Sequence, residues 1–219
     1  MSDERSKAAE PAGAARGRGR RAGAPRDPER TRQALLDAAL TEFAAKGIAG
    51  ARVSEIAARA GVNKQLISYH FDGKQGLYDA LAERWLAQER EFADPSMPLG
   101  ELVATYARVS VEQRDLTRLF VRECMEDATL PAAVAAEGAD GEEPPEVADL
   151  RRRQQAGELD PRLDPAFVML ALQGAASAGV SFPGDVRRFT GLEPDSAEFA
   201  ARYGEQLALL IGLLAAPAE

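Results

Sequence analysis

Residues 53–71, VSEIAARAGVNKQLISYHF, constrain the fold more than any other stretch of the chain. Val53, Ile56, Ala57 and Ala60 recur at three and four, which marks one face of a short helix. Gly61 ends that helix, because glycine accepts the left-handed conformation that closes many helices. Val62 fills the corner, and Asn63 restarts the chain as an N-cap. The second helix covers residues 64–70. Leu66, Ile67 and Phe71 face inward from it, while Lys64, Gln65, Ser68 and Tyr69 face out. Two short helices around an apolar corner, the second with a polar and basic outer face, predict a helix-turn-helix. Its second helix is the element that enters a DNA major groove.

The match extends beyond these two helices. Gly47, Ile56-Ala57, Ala60-Gly61-Val62, Tyr69-His70-Phe71, Lys74 and Leu77 stand at fixed spacing over roughly a fifth of the chain. In this pattern the sequence resembles the DNA-binding domain of TetR-family transcriptional regulators. It departs from that family at two places. Arg52 precedes the first motif helix, where Ser or Thr is usual, and Ser68 stands where Tyr is common. Both departures bear on single phosphate contacts and leave the fold untouched.

Charge is distributed as the motif requires. The chain carries −8 overall, yet residues 1–74 hold 14 Lys and Arg against 9 Asp and Glu, a balance of +5. The remainder therefore carries −13. A basic N-terminal third on an acidic remainder predicts a DNA-binding head on a body that avoids DNA. The single cysteine, Cys124, excludes an internal disulfide and fits a reducing cytoplasm. One histidine and one cysteine far apart do not supply a structural zinc site. No run of about eighteen apolar residues predicts a membrane span, and the N-terminus lacks the apolar stretch of a secretion signal. No serine-hydrolase, metalloprotease, nucleotide or dinucleotide motif points to catalysis or a cofactor, so no catalytic residue is assigned.

Taken in order, residues 1–28 are rich in Gly, Ala, Pro and Arg and read as a disordered basic arm. Its run Arg16-Gly-Arg-Gly-Arg20-Arg21 can add phosphate or minor-groove contacts. Residues 29–76 are the DNA-binding head and residues 77–219 the body. Asp27-Pro28 starts a helix over 28–46, striped by Leu35, Leu36, Ala39, Leu40 and Phe43 and ended by Gly47. After the Asp72-Gly73 turn a long helix covers 74–92, with Trp85 as a core side chain. Further helices are expected over 99–113, 115–127, 146–155, 165–182 and 195–214. Residues 137–145 read as a mobile acidic loop, and Cys124 as a small buried hydrophobe. No strand alternation or internal repeat occurs. The fold class is all-α, about nine helices, with a three-helix head.

The candidate DNA-binding residues are Arg52, Asn63, Lys64, Gln65, Ser68, Tyr69, His70 and Lys74. Lys64 and Gln65 lie in the first turn of the second motif helix, where lysine can donate to guanine and glutamine can pair with adenine. Ser68 and Tyr69 suit phosphate or thymine-methyl contacts one turn on. Lys74 joins a cation to helical N–H groups and suits a phosphate. The resemblance implies the same roles for Lys64, Gln65, Tyr69, His70 and Lys74.

The last two helices carry more apolar surface than one pair needs. Phe167, Leu170, Ala171, Gly174, Ala175 and Ala178 form one face; Phe199, Tyr203, Gln206, Leu207, Leu210 and Leu214 form the other. Such faces predict a four-helix bundle with a second copy, which the resemblance also implies. Tyr106, Ser110, Arg122, Glu123 and Gln173 are polar groups expected inside the middle helices, where they would line a small-molecule site. The resulting expectation is a homodimeric repressor on a palindromic double-stranded operator, released by an unknown small-molecule effector. The competing expectation is a helical ligand- or partner-binding protein whose head does not read DNA.

Overall fold

A computed structural model describes residues 27–126, 131, 134, 141 and 143–215. The basic arm, apart from its last two residues, lies outside the described residues, as does most of the acidic stretch 137–145. Among the described residues there are ten helices and no strand: α1 (Pro28–Gly50), α2 (Val53–Ala60), α3 (Gln65–Phe71), α4 (Lys74–Phe92), α5 (Leu99–Glu112), α6 (Arg114–Met125), α7 (Pro145–Gln155), α8 (Pro165–Ser181), α9 (Pro183–Thr190) and α10 (Ala197–Gly212).

Local chemistry sets most of the boundaries. The Asp27 and Asp164 carboxylates accept from Glu29 N and Ala166 N, each followed by proline at the first helical position. Ser196 caps α10 through Phe199 N. Gly61, at φ 66° and ψ 33°, closes α2 in the left-handed region. Gly47 breaks α1 as expected, but not by ending it. It sits at φ 71° and ψ 168°, and one more turn follows to Gly50 across the kink.

One helix was not anticipated. Pro183 stops α8, and α9 leaves it at 84°. The eight residues PGDVRRFT bury only Val186, so they show no apolar stripe long enough to betray a period.

The head core gathers Leu35, Leu36, Phe43, Ile56, Ile67 and Phe71, and it does not stop at the head. Leu77, Tyr78 and Leu81 of α4 and Leu116 and Leu119 of α6 belong to the same cluster. The body core is built on α5, which packs against α6, α8 and α10. Leu99, Val103 and Ala107 meet Val168, Leu172, Leu207 and Ile211 there. The α5–α10 seam is very close. A Cβ on Gly100 would stand 3.0 Å from the Ala208 carbonyl oxygen, and one on Gly204 would stand 3.3 Å from that of Ala104. No single described helix is long and apolar enough to cross a membrane.

Candidate nucleic-acid interface

The head presents α3 outward. Ile67 is fully buried and Phe71 nearly so, and this anchors the helix; Lys64, Gln65, Ser68 and Tyr69 are left exposed. The Asn63 Oδ1 accepts from Gln65 N at 2.9 Å, so this side chain caps α3. Tyr69 stands 80% exposed, with His70 edge-on to its ring at 4.9 Å. The Arg32 guanidinium lies over the Phe71 ring at 5.3 Å, a brace from α1 that sequence spacing alone does not reveal. Arg52, which precedes α2, is exposed and makes no side-chain capping bond. An open hollow of about 560 Å³ flanks α3 between α1 and α4. Arg32, Ser68, Tyr69 and His70 line it together with Asp72, Asp79 and Glu83.

Lys74 sits differently from a free phosphate donor. Its Nζ donates to the carbonyl oxygens of Ala49 at 3.1 Å and Ala51 at 3.2 Å. It thereby ties the start of α4 to the α1–α2 connector, with one donor left over. A second tie comes from the body. The buried Glu123 of α6 accepts the Ile48 N–H at 3.1 Å, and Arg122 lies against Gly47. The connector 47–51 is thus held by α4 on one side and α6 on the other.

Helices α1 and α2 are joined by a buried carboxylate. Glu42 accepts from Lys46 at 2.6 Å and from Arg59 at 2.9 Å, and Lys46 also reaches Glu55. The hydrogen bonds from Lys46 and then Arg59 hold the Glu42 carboxyl below the usual carboxylate range, against the opposing effect of burial.

Comparison with known proteins agrees with this arrangement. The model of the bacterial regulatory proteins of the tetR family matches residues 35–81. The transcriptional repressor SCO4008 of Streptomyces coelicolor is 48% identical over 61 residues, 28% of this chain and 32% of that protein. The regulator RutR of Escherichia coli is 34% identical over 106 residues, 45% of this chain and 50% of that protein. The chain carries a tetR-family N-terminal region over residues 35–81. It spans between a third and a half of the length of these two relatives. Beyond the head, the likeness is structural. The regulator SCO4942 of Streptomyces coelicolor superposes with a TM-score of 0.65 and 28% identity, covering 84% of this chain and 98% of that one.

In the body of the chain the expected ligand residues do not converge. Glu123 is engaged with Ile48, and Arg122 lies against the Gly47 kink with one buried Nη1 lacking a partner. Ser110 is buried, and its carbonyl accepts the Thr117 hydroxyl. Gln173 is exposed on the outside of α8. Tyr106 donates its hydroxyl to Glu89 of α4. Helical spacing had put these side chains on inner faces, but the neighbours that claim them come from other elements.

The partner-facing residues divide in the same way. Phe167, Leu170, Ala171, Gly174, Gln206 and Leu210 are exposed, and Ala175, Ala178 and Leu214 are half-buried. Phe199 and Leu207, expected on the same face, are buried within the protomer, as α10 turns that side toward α5. Tyr203 donates to the Ala175 carbonyl at 2.8 Å, linking α10 to α8. Cys124 is exposed, not buried, because Glu123 takes the inward position of its turn.

Proposed function

We propose that the chain is a homodimeric transcriptional repressor that grips a palindromic operator with two copies of α3 and releases it when a small molecule binds the body. The observation that carries this reading is α3 itself. It is held on Ile67 and Phe71, so that the polar row Lys64, Gln65, Ser68 and Tyr69 stands free at the surface. In this reading Lys64 and Gln65 meet base edges. Arg52, Ser68, Tyr69 and His70 meet the backbone, and Lys74 and Asn63 set the pose of α3. The two heads address half-sites about 34–36 Å apart.

Dimerisation is supported by the exposed apolar side of α8 and α10. Phe167, Leu170, Leu210 and Leu213 are each more than half exposed. Between them runs a groove of about 290 Å³ lined by Leu163, Phe167, Val168, Ala171, Leu172 and Leu214. Apolar surface of this extent marks an association site. Release would travel through α4 and α6, which hold the 47–51 connector; effector and operator binding then share one coupling free energy.

The test is retention of genomic DNA fragments by the purified protein across a salt series. Enrichment of one palindromic sequence, with log affinity falling linearly against log salt, is the expected result. Equal retention of all fragments, or none, overturns the reading.

A further inference from the structure

The open hollow beside α3 is a second surface of the head, and Lys64 and Gln65 take no part in it. Helix α1 forms one wall; the end of α3 and the start of α4 form the others. Its charged lining sets Asp72, Asp79 and Glu83 against Arg32, with His70 beside them. Asp79 is half-buried and accepts from Gln75. Asp72 and Glu83 are exposed, and among the described residues neither forms an ion pair. The Arg32 guanidinium is occupied by the Phe71 ring. The Tyr69 ring, open to solvent, stands on the same rim. The hollow of about 560 Å³ thus offers a cation two exposed carboxylates and an aromatic face.

The segment that enters the head at this place has the matching chemistry. Residues 11–26, PAGAARGRGRRAGAPR, hold five arginines and no carboxylate. They lead into α1 at its cap, Asp27, and Arg32 on the wall of the hollow stands five residues further on. Along a helix that distance is about 7.5 Å. Residues 21–26 alone span up to about 20 Å when extended, so the arginines reach the hollow from the start of α1. We propose that the hollow is the docking site of this arm, whose arginines pair with Asp72 and Glu83 and stack on Tyr69. Guanidinium suits both partners, since it bonds a carboxylate through two N–H groups and lies flat on aromatic faces. A single exposed ion pair is weak. The tether compensates, because a short linker raises the local concentration of the arm to about the millimolar range. The docked arm covers Ser68 and Tyr69, so operator DNA has to displace it, and the arginines exchange carboxylates for phosphates as they leave. That competition rests on the proposed operator binding; the docking does not.

His70 is the only histidine, so its imidazole NMR signals report on the hollow alone. A nitroxide is attached to the full chain at Gly19→Cys, with Cys124→Ser removing the exposed native thiol. The label is expected to broaden the His70 signals at about 0.01 M salt and to release them near 1 M, where the Debye length falls to about 3 Å. Asp72→Asn combined with Glu83→Gln is expected to abolish the broadening at low salt. Both positions are exposed, and asparagine accepts the left-handed backbone of residue 72, at φ 54°. Unbroadened signals at low salt, or broadening that survives either the high salt or the double variant, overturn the proposal. In operator titrations the double variant is expected to bind severalfold more tightly than the parent. That gain is expected to vanish when Arg16, Arg18, Arg20, Arg21 and Arg26 are all changed to glutamine, and an equal gain in both backgrounds overturns the competition with DNA. Operator retention with unbroadened His70 signals sinks this inference alone, and broadening without operator retention sinks only the DNA reading.

Discussion

The Glu123 carboxylate accepts the Ile48 N–H at 3.1 Å across 75 residues of sequence, and it does so one residue past the Gly47 kink. This bond fastens the body helix α6 to the α1–α2 connector. On the same connector, the carbonyls of Ala49 and Ala51 are held by Lys74. Three backbone groups of one short link, at residues 48, 49 and 51, are therefore held by side chains from two different helices.

Glu123→Ala leaves the Ile48 N–H without its charged acceptor and is expected to destabilise the fold by about 1.5–3 kcal/mol. Glu123→Gln keeps an acceptor oxygen and should recover most of that loss. Urea unfolding of the two variants beside the parent measures the difference. Equal stability of the alanine variant and the parent would remove the bond from the account.

Lys74→Ala deletes both carbonyl bonds and is expected to weaken binding to all DNA sequences about equally. Gln65→Ala should instead relax preference at one base pair, at about 1–3 kcal/mol of discrimination. Base-preference profiles of the two variants separate a residue that sets the pose of α3 from one that reads sequence. The salt slope decides whether the remaining Lys74 donor also holds a phosphate, since one lost contact lowers the slope by about 0.9.

Leu210 is 56% exposed in the protomer, whereas Leu207, one turn earlier, is 5% exposed. Leu210→Glu should therefore yield a folded monomer with weakened operator binding. Leu207→Glu should unfold the body, at a cost of at least about 2 kcal/mol. Sedimentation and circular dichroism distinguish the outcomes, and a Leu210→Glu dimer of parental affinity would overturn the proposed bundle.

The Glu42 carboxyl is held below its ordinary range by Lys46 and Arg59. A depressed carboxylate stabilises the fold above its unfolded pKa, and that contribution disappears as pH falls through the folded value. Glu42→Gln should therefore be less stable than the parent at neutral pH. The gap should close as the pH drops below about 4, under the ordinary glutamate value. A gap that stays constant down to acid pH would mean that Glu42 acts only through packing.

Helix starts were legible wherever a short-range signal sufficed. Asp27-Pro28 and Asp164-Pro165 both open helices through the capping bonds their residue types predict. Gly61 and Asn63 likewise shape the motif turn by local chemistry. What could not be read was which neighbour claims a given face. Leu207 and Leu210 share an apolar helix in sequence, yet one meets α5 and the other does not. Glu123 displaces Cys124 from the inward position only because an N–H from α1 waits there, and no period encodes that. Trp85 was legible as a core side chain of α4, but the ring of Tyr106 that packs on Phe92 beside it comes from the next helix.

The seam between α5 and α10 has a geometric consequence for any motion in the body. At Gly100 and Gly204 the two backbones meet with no side chain between them, so neither helix can slide past the other without collision. Because α10 also carries half of the proposed association surface, α5 is fixed relative to the twofold axis of a dimer. In the proposed dimer, displacements of α4 and α6 would then be measured from a reference shared by both protomers. A shift of either helix would there change the separation of the two heads.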